Sequence, residues 1–336
     1  MPAPSAPSHT PIVQADIDHP AGVLECALAY LSAGIAISLC VLQTVERGTP
    51  RAPGAMMVVN ELGDTHGYLS GGCVDGDIAA RSVALLKKPV MTIVRYGEGS
   101  PYKDIVLPCG GALEIALIPV IPGSANHQVL SIVLSGLQSR RAIGFSVDAN
   151  GLLAIAMTPR TGQAGSRFVA ALTPPLQIRV AGRGPDLEAF IHLLSGTAIG
   201  VEVYSPDDVL LRFSDNEESE NIRWHRLVHE RNIPPCKDDP WTAFILLFHD
   251  RDWEIPLIRN AIEGDAFYIG AVGSRRTHQM RCDGLRAAGL EEGDIARING
   301  PIGLVPAMRS ASMIAISALA EIVDVFYNGG IVGRDG

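Results

Sequence analysis

The stretch Ile178-Arg-Val-Ala-Gly-Arg-Gly-Pro-Asp-Leu187 decides how the second half of the chain folds. Its apolar start is typical of a buried strand, Gly182 and Gly184 form a turn, and a helical pattern follows. A strand, a glycine turn and a helix in this order are the elements that hold phosphates in a dinucleotide-binding fold. Further strand patterns alternate with helical ones, at residues 201–204, 243–248 and 267–272. This alternation predicts a parallel, doubly wound sheet.

The dinucleotide fingerprint in this stretch is incomplete. Its third glycine position holds Leu187, and the next strand ends in Ser205, where an acidic residue would bind the ribose. A nucleotide site with Asp207 or Asp208 in place of that acid, and a glycine turn with only a structural role, are both open interpretations. Because a leucine crowds the turn and a serine cannot accept two ribose hydroxyl bonds, we expect NAD and NADP to bind weakly or not at all.

Two more strand ends in this half carry polar groups. The motif Phe248-His249-Asp250 ends one predicted strand, and Gly273-Ser274-Arg275-Arg276 follows the next. The carboxyl ends of parallel strands face the binding crevice of an open α/β sheet. The two arginines can hold an anion there, and the histidine and aspartate can position or titrate next to it. Helix capping combined with solvated surface charge is the alternative.

The first half of the chain carries two mirror-image motifs, Gly71-Gly72-Cys73 and Cys109-Gly110-Gly111. The first precedes a helical pattern, and the second precedes an apolar strand pattern at residues 112–120. Paired glycines let backbone N–H groups approach a ligand, and a thiol at a helix N-terminus tends toward the thiolate form. Thiolates bind soft metals and sulfur. The two motifs therefore suit a ligand that carries a soft metal or sulfur.

The surroundings of the two cysteines differ. Asp75 and Asp77 closely follow Cys73 and oppose thiolate formation there. No carboxylate adjoins Cys109 in sequence, so we rank Cys109 above Cys73 as a soft ligand. Two alternatives stay open: both cysteines can be inert packing residues beside turns, or His66 and both thiols can form a zinc site.

Composition excludes several classes of protein. The 336 residues are 47% hydrophobic and 19% charged, so the chain should fold, and it is long enough for two domains. The net charge of -9 argues against nucleic acid or an anionic membrane surface as a partner, because both select clustered Lys and Arg. Six scattered cysteines without a CxxC motif are expected to be reduced thiols of a cytoplasmic protein.

Residues 26–45 contain no charged side chain over about the length that a membrane-spanning helix needs. Gly34 divides them into a part rich in Ala and Leu and a part rich in Ile and Val. This pattern favours a helix, a glycine C-cap and a buried strand. We therefore expect this segment to be core and not a membrane span.

These patterns together predict an α/β protein. We expect an N-terminal mixed α/β domain over residues 20–172 and a Rossmann-like doubly wound parallel-sheet domain over residues 176–330, with a boundary at Pro174-Pro175. Residues 211–239 are polar and mixed in charge, so they are predicted to be a surface excursion.

The motifs, taken in order, resemble the XdhC/CoxI family, the accessory proteins of xanthine dehydrogenase and carbon monoxide dehydrogenase maturation. The resemblance covers most of the chain. The matching stretches are residues 48–55, 67–75, 108–111, 248–250, 268–276, 301–304 and 314–322.

The resemblance implies a maturation factor rather than an enzyme. Such a protein transiently binds the molybdenum cofactor (molybdopterin), protects it while a cysteine desulfurase or another sulfurtransferase installs the terminal sulfido ligand, and delivers it to a molybdenum hydroxylase such as xanthine dehydrogenase. The cysteine motifs of the family fall on Cys73 and Cys109 in this chain. We expect a cytoplasmic homodimer. An NAD(P)-dependent oxidoreductase that uses the Rossmann-like domain is the alternative.

The chain departs from the family pattern at several positions. Ser205 stands where the family usually has a strand-end Asp. The residues Val305, Ala307, Ala311 and Met313 replace the typical Asp, Gly, Pro and Glu.

Overall fold

The structure is a computed structural model that describes residues 16–47, 51–101, 107, 110–149, 151–156, 160–207, 221–235 and 237–329. The chain divides into two compact units, one ending at Pro174 and the other beginning at Pro175. They are called unit 1 and unit 2 below. Cys109 and Asp208 lie outside the described residues.

Unit 1 begins with a five-stranded antiparallel sheet and two helices. The elements in chain order are α1 (Pro20–Ser32), β1 (Ile37–Glu46), β2 (Met56–Asn60), β3 (Thr65–Gly67), α2 (Asp75–Leu86), β4 (Thr92–Gly97) and β5 (Ala112–Val120). The strands lie in the order β3-β2-β1-β5-β4. The central strand β1 pairs with β2 on one side and with β5 on the other.

Both faces of this sheet are covered, and β1 shows how. Ile37 and Leu39 pack into a core shared with α1, whereas Cys40 and Leu42 pack into a second core shared with α2. A strand buried on both faces has a continuous apolar sequence, which explains the uncharged run at residues 26–45. The prediction that this run is core is confirmed, and Gly34 has the left-handed φ of +82° that ends α1.

The described residues of unit 1 after β5 form one helix and a second antiparallel sheet. These elements are α3 (Ala125–Gln138), β6 (Ile143–Asp148), β7 (Gly151–Ala156), β8 (Gly162–Ala164) and β9 (Arg167–Leu172). The strand order is β7-β6-β9-β8. Apolar side chains of α3 and of this sheet join the core that contains α1.

Unit 2 is built on a six-stranded sheet. The elements within its described residues are β10 (Gln177–Gly182), α4 (Gly184–Ser195), β11 (Gly200–Ser205), β12 (Ile222–Arg226), β13 (Thr242–Leu247), α5 (Arg251–Ile262), β14 (Tyr268–Ala271), α6 (Arg275–Ala287), α7 (Glu292–Ile295), β15 (Ile298–Asn299) and α8 (Ala311–Asn328). All strand pairs are parallel, in the order β12-β11-β10-β13-β14-β15. Counted within the unit this is 3-2-1-4-5-6, the Rossmann order. The predicted fold class is confirmed.

Helices cover both faces of this sheet, with α4 and α8 on one side and α5, α6 and α7 on the other.

Strand β12 lies inside the segment that the sequence predicts to be a surface excursion, so that prediction is wrong for residues 222–226. Ile222 and Trp224 pack against the core on one side, while charged residues alternate with them. A polar edge strand of five residues has too little apolar sequence to be recognised from its pattern.

By length and composition, α8 could cross a membrane, and 28% of its residues are buried. Its buried face packs against α4 and supplies Ala318, Ile322 and Phe326 to the core. The helix thus has a place within unit 2, and length and composition alone do not establish a membrane span.

Candidate functional site

Cys73 lies between β3 and α2, in a segment that we call the cysteine loop (residues 69–74). Its side chain is exposed. Gly71 and Gly72 have left-handed φ values of +70° and +104°. A Cβ added at Gly72 would meet no atom within 4 Å. The glycines therefore serve the backbone conformation, and the space beside Gly72 is open to a ligand.

The carboxylate of Asp75 accepts hydrogen bonds from the backbone of the cysteine loop. Asp75 Oδ1 accepts hydrogen bonds from the backbone N–H groups of Leu69 and Ser70, both at 3.1 Å, and Oδ2 accepts one from Gly72 at 2.8 Å. The hydroxyl oxygen of Ser70 accepts a further bond from the N–H of Val74 at 3.0 Å. The loop is thus tied to the first residue of α2.

Asp77 has different partners. Its Oδ2 accepts a hydrogen bond from the Tyr96 hydroxyl at 2.6 Å and another from Arg81. Burial raises the pKa of Asp77, but the bonds from Arg81 and Tyr96 outweigh burial and hold this pKa below its ordinary value. The two carboxylates predicted to oppose thiolate formation at Cys73 therefore engage other groups.

The second cysteine motif is described only at its glycines. A Cβ at Gly111 would lie 2.3 Å from the carbonyl oxygen of Glu46 and 2.7 Å from that of Arg47, so glycine is required there for packing. Gly110 has a φ of +64°, and a Cβ there would meet nothing within 4 Å. Gly110 thus resembles Gly72 in its left-handed backbone and open surroundings, whereas a glycine is needed at position 111 for close packing.

A zinc site was one interpretation of the cysteine motifs. Within the described ranges, no group of three or more His, Cys, Asp and Glu side chains could hold a metal ion. His66 Nε2 is buried and has no hydrogen-bond partner. Because the proposed zinc site includes Cys109, it stays an untested prediction.

In unit 2, the turn after β10 (residues 182–184, the glycine turn) contains two glycines with different roles. A Cβ at Gly182 would lie 2.7 Å from Leu247 Cβ and 2.9 Å from Leu247 O, so glycine is required for packing against β13. Gly184 has a φ of +71° and open space where a Cβ would be. The third glycine position holds Leu187, which is fully buried in the core.

The last residue of β11 is Ser205, which carries no carboxylate, and Asp207 follows two residues later. Ser205 is fully buried, and its hydroxyl oxygen accepts a hydrogen bond from the N–H of Asp207 at 3.1 Å. Both departures from the dinucleotide fingerprint are therefore built into the packing.

The crevice between β10 and β13 is crossed by one ion pair and one histidine–carboxylate contact. Arg183 in the glycine turn contacts Asp250 after β13 at 3.3 Å, and His249 contacts Asp186 in the first turn of α4 at 3.3 Å. The structure thus brings His249 and Asp250 to the glycine turn. It also places one carboxylate, that of Asp186, in the first turn of α4, where a dinucleotide fold binds phosphate, and this disfavours an anion there.

The turn after β14 (residues 273–276, the arginine turn) has the opposite charge. Ser274 caps α6 by accepting a hydrogen bond from the N–H of Thr277 at 3.1 Å, as the capping interpretation expects. Asp250 likewise caps α5. Arg275 and Arg276 are exposed in the first turn of α6, which contains no acidic residue. Positive charge at a helix N-terminus opposes the helix dipole, so these arginines suit a bound anion better than they suit the helix.

Sequence reasoning missed the buried charges that hold these strand ends. Arg281 donates to both carboxylate oxygens of Glu254, at 3.0 and 3.1 Å, and to the carbonyl of Val272 at 2.8 Å, directly before the arginine turn. The Arg281 and Glu254 side chains are 1% and 4% exposed. A charged residue on the apolar face of a helical pattern is the signal that could have revealed the pair.

Glu321 of α8, which is half-buried, also joins two segments of unit 2. One of its carboxylate oxygens accepts a bond from the Tyr268 hydroxyl at 2.7 Å, and the other accepts one from the N–H of Gly303. Residues 301–304 and 314–322, which carry part of the family resemblance, are thus joined by one side chain.

Comparisons with known proteins agree with this architecture. The model of the XdhC and CoxI family matches residues 30–97, and the model of the XdhC Rossmann domain matches residues 178–322. The chain is 32% identical over 305 residues to the molybdenum cofactor insertion chaperone PaoD of Escherichia coli (strain K12), covering 90% of this chain and 87% of that protein.

More distant relatives extend the same picture. A protein of Bacillus subtilis (strain 168) named as a probable subunit of xanthine dehydrogenase is 20% identical over 311 residues, covering 85% of this chain and 92% of that protein. A crystal structure described as a xanthine dehydrogenase from Bacillus halodurans has the same fold, with a TM-score of 0.72, 17% identity, and coverage of 93% of this chain and 98% of the other. This protein is a member of the XdhC and CoxI family.

Proposed function

We propose that this protein is a cytoplasmic maturation factor that binds the molybdenum cofactor and delivers it to a molybdenum hydroxylase such as xanthine dehydrogenase. The observation that carries the proposal is the 32% identity, over 90% of the chain, to a relative named a molybdenum cofactor insertion chaperone. The name of the Bacillus subtilis relative supports a client of the xanthine dehydrogenase type.

The cysteine loop fits such a cargo. Cys73 is exposed, and a Cβ at Gly72 would meet no atom within 4 Å, so a ligand can approach the thiol from the side of this glycine. A thiolate is a ligand that soft metals and sulfur prefer. We propose Gly71, Gly72 and Cys73 as cofactor-binding residues, together with Cys109 and Gly110. Gly111 belongs to the same motif, but its contribution is the close packing described above.

Unit 2 supplies the remaining proposed residues. Gly273, Ser274, Arg275 and Arg276 form an exposed cationic turn that can bind an anionic group. Gly182, Gly184, His249 and Asp250 surround the crevice at the switch point of the sheet, where ligands of open α/β proteins bind. The carboxylates at that crevice make it a poorer anion site than the arginine turn.

Delivery requires partners that exchange the cargo. We propose a cysteine desulfurase or another sulfurtransferase as the sulfur donor, the molybdenum hydroxylase as the acceptor, and a homodimer as the assembly. The exposed cysteine loop leaves a bound ligand accessible to both. The cofactor, when bound, supplies the molybdenum centre that the client enzyme needs for catalysis.

The test is purification from a host that makes the molybdenum cofactor, followed by an absorbance spectrum, the molybdenum content per chain and activation of a cofactor-free hydroxylase. We expect bound cofactor and activation by the loaded protein. The Rossmann strand order keeps the NAD(P)-dependent oxidoreductase as the second candidate. NAD(P)H-dependent turnover by protein that retains no cofactor would favour that candidate.

A further inference from the structure

We infer that Asp75 is a positioning residue, which holds the cysteine loop in the conformation that presents the Cys73 thiol. The inference rests on the proposed function, because it assigns to Cys73 a ligand that needs the thiol in a fixed place. It concerns a residue whose sequence position predicted only an unfavourable charge next to the thiol.

The Asp75 carboxylate fixes the part of the loop around the two glycines, while the Ser70 hydroxyl accepts the N–H of Val74. Leu69 and Val74 at the two ends are buried in the core under α2, at 0% and 1% exposure. Between them, the backbone passes through two left-handed glycines, which are free to adopt many other conformations. The Asp75 carboxylate accepts N–H groups from both sides of the first glycine, at Ser70 and Gly72, and so fixes the turn.

A carboxylate is required for this arrangement. Its two oxygens offer about four acceptor positions, so it can serve three N–H groups at once. An asparagine has one acceptor oxygen, and its amide N–H₂ would face one of the backbone donors. Asp75→Asn therefore releases either Gly72 or the pair Leu69 and Ser70. A hydrogen bond to a charged acceptor is roughly twice as strong as a neutral one, so the loss is larger than one ordinary bond.

Asp77 provides a matched control on the same helical turn. Asp77→Asn removes the same unit of charge, two residues further along, but its carboxylate contacts Arg81 and Tyr96 and not the loop. If carboxylates affect Cys73 only through their charge, the two substitutions should act alike. If Asp75 positions the loop, they should differ.

Two measurements on the full chain test the inference. In cofactor-free protein, hydrogen exchange of the Leu69, Ser70 and Gly72 amides should be at least about tenfold faster in Asp75→Asn and unchanged in Asp77→Asn. In protein purified from the cofactor-producing host, Asp75→Asn should lower cofactor loading by about tenfold without lowering the thermal midpoint in proportion. Asp75→Glu, which restores a carboxylate, should recover part of the loading.

The outcomes separate this inference from the proposed function. If Asp75→Asn leaves amide exchange and loading as in the wild type while Cys73→Ser loses the cofactor, the positioning role is wrong and the cofactor function stands. If exchange accelerates in Asp75→Asn but Cys73→Ser keeps full loading, Asp75 still holds the loop, and the assignment of the cofactor to this loop fails. Equal losses of loading in Asp75→Asn and Asp77→Asn would also overturn the positioning role.

Discussion

The cysteine loop of unit 1 and the glycine turn of unit 2 look alike in sequence, because each has two glycines at or just before the start of a helix with an acidic first turn. Their structures differ. At the cysteine loop, the Asp75 carboxylate accepts hydrogen bonds from the backbone of the loop, and the Cys73 thiol is exposed. At the glycine turn the acidic residue, Asp186, contacts His249 across the crevice. The space beside Gly182 is occupied by Leu247.

The comparison teaches that a pair of glycines in sequence does not reveal what each glycine is for. A glycine that only supplies a left-handed backbone leaves open space beside it, as at Gly72 and Gly184. A glycine that allows two backbones to approach leaves none, as at Gly111 and Gly182. The open kind is the better candidate for contact with a ligand.

The largest expected effect is a loss of stability when a glycine with no free space beside it is replaced by alanine. Gly182→Ala places a methyl group 2.7 Å from Leu247 Cβ and 2.9 Å from its carbonyl oxygen, so β10 and β13 must separate. We expect a loss of about 2 to 3 kcal/mol of unfolding free energy. Gly72→Ala, which meets no atom, should cost less, about 1 to 2 kcal/mol of left-handed strain. Chemical denaturation of the two variants checks the order, and equal losses would contradict the distinction.

The second prediction concerns the thiol that the cysteine loop exposes. Cys73→Ser should lower cofactor loading by about tenfold or more, because a hydroxyl does not replace a soft thiolate, while the thermal midpoint stays the same. Cys26→Ser is the control, since Cys26 is 3% exposed and burial raises the pKa of its thiol to about 11. That variant should lose stability and keep its loading.

The sequence ranking of Cys109 above Cys73 can be judged by the same measurement. It depended on Asp75 and Asp77 disfavouring a thiolate, and both carboxylates bind other groups in the structure. Cys109→Ser is still expected to lower loading. If both cysteine variants retain wild-type loading, the cysteines are packing residues and the proposed site fails.

The third prediction tests whether acidic side chains weaken dinucleotide binding at the crevice of unit 2. We expect wild-type protein to bind NAD and NADP with a dissociation constant weaker than about 1 mM, because Leu187 and Ser205 remove two parts of the dinucleotide site. Replacing Asp186 and Asp250 by Asn should strengthen binding by about fivefold, since one carboxylate leaves the N-terminus of α4 and the other no longer neutralises Arg183. Calorimetry measures both values, and low-micromolar affinity in the wild type would promote the oxidoreductase.

Sequence patterns predicted the parts of the fold that repeat a strong periodicity. Strand β5 and the alternating strands and helices of unit 2 are long and apolar, so burial alone indicates them. The four-stranded sheet of unit 1 and strand β12 were not predicted, because short strands with polar edges carry little of this signal. The role of Asp75 was missed for another reason. A carboxylate near a helix start indicates charge in the sequence, whereas its three backbone partners exist only once the loop is folded.

The smallest expected effect extends the comparison to a loop that lacks the glycine it needs. Ala307 has a left-handed φ of +59°, at the position where the resemblance to the family leads one to expect Gly. A non-glycine residue in this conformation destabilises the fold by about 1 to 2 kcal/mol. Glycine removes this strain, but its larger conformational entropy in the unfolded chain offsets part of the stabilisation. Ala307→Gly should therefore raise the unfolding free energy by about 0.5 to 1 kcal/mol, measurable by denaturant titration.

The matched control is the same substitution at an alanine with helical backbone. Ala320 is exposed in the interior of α8, so Ala320→Gly removes little packing and mainly adds freedom to the unfolded chain. It should lower the unfolding free energy by about 1 kcal/mol, the usual cost of glycine in a helix. Opposite signs for the two variants are therefore expected, because only residue 307 has a backbone conformation that glycine adopts more easily than alanine. A stabilising effect of both substitutions, or of neither, would show that the backbone conformation at residue 307 does not decide the outcome.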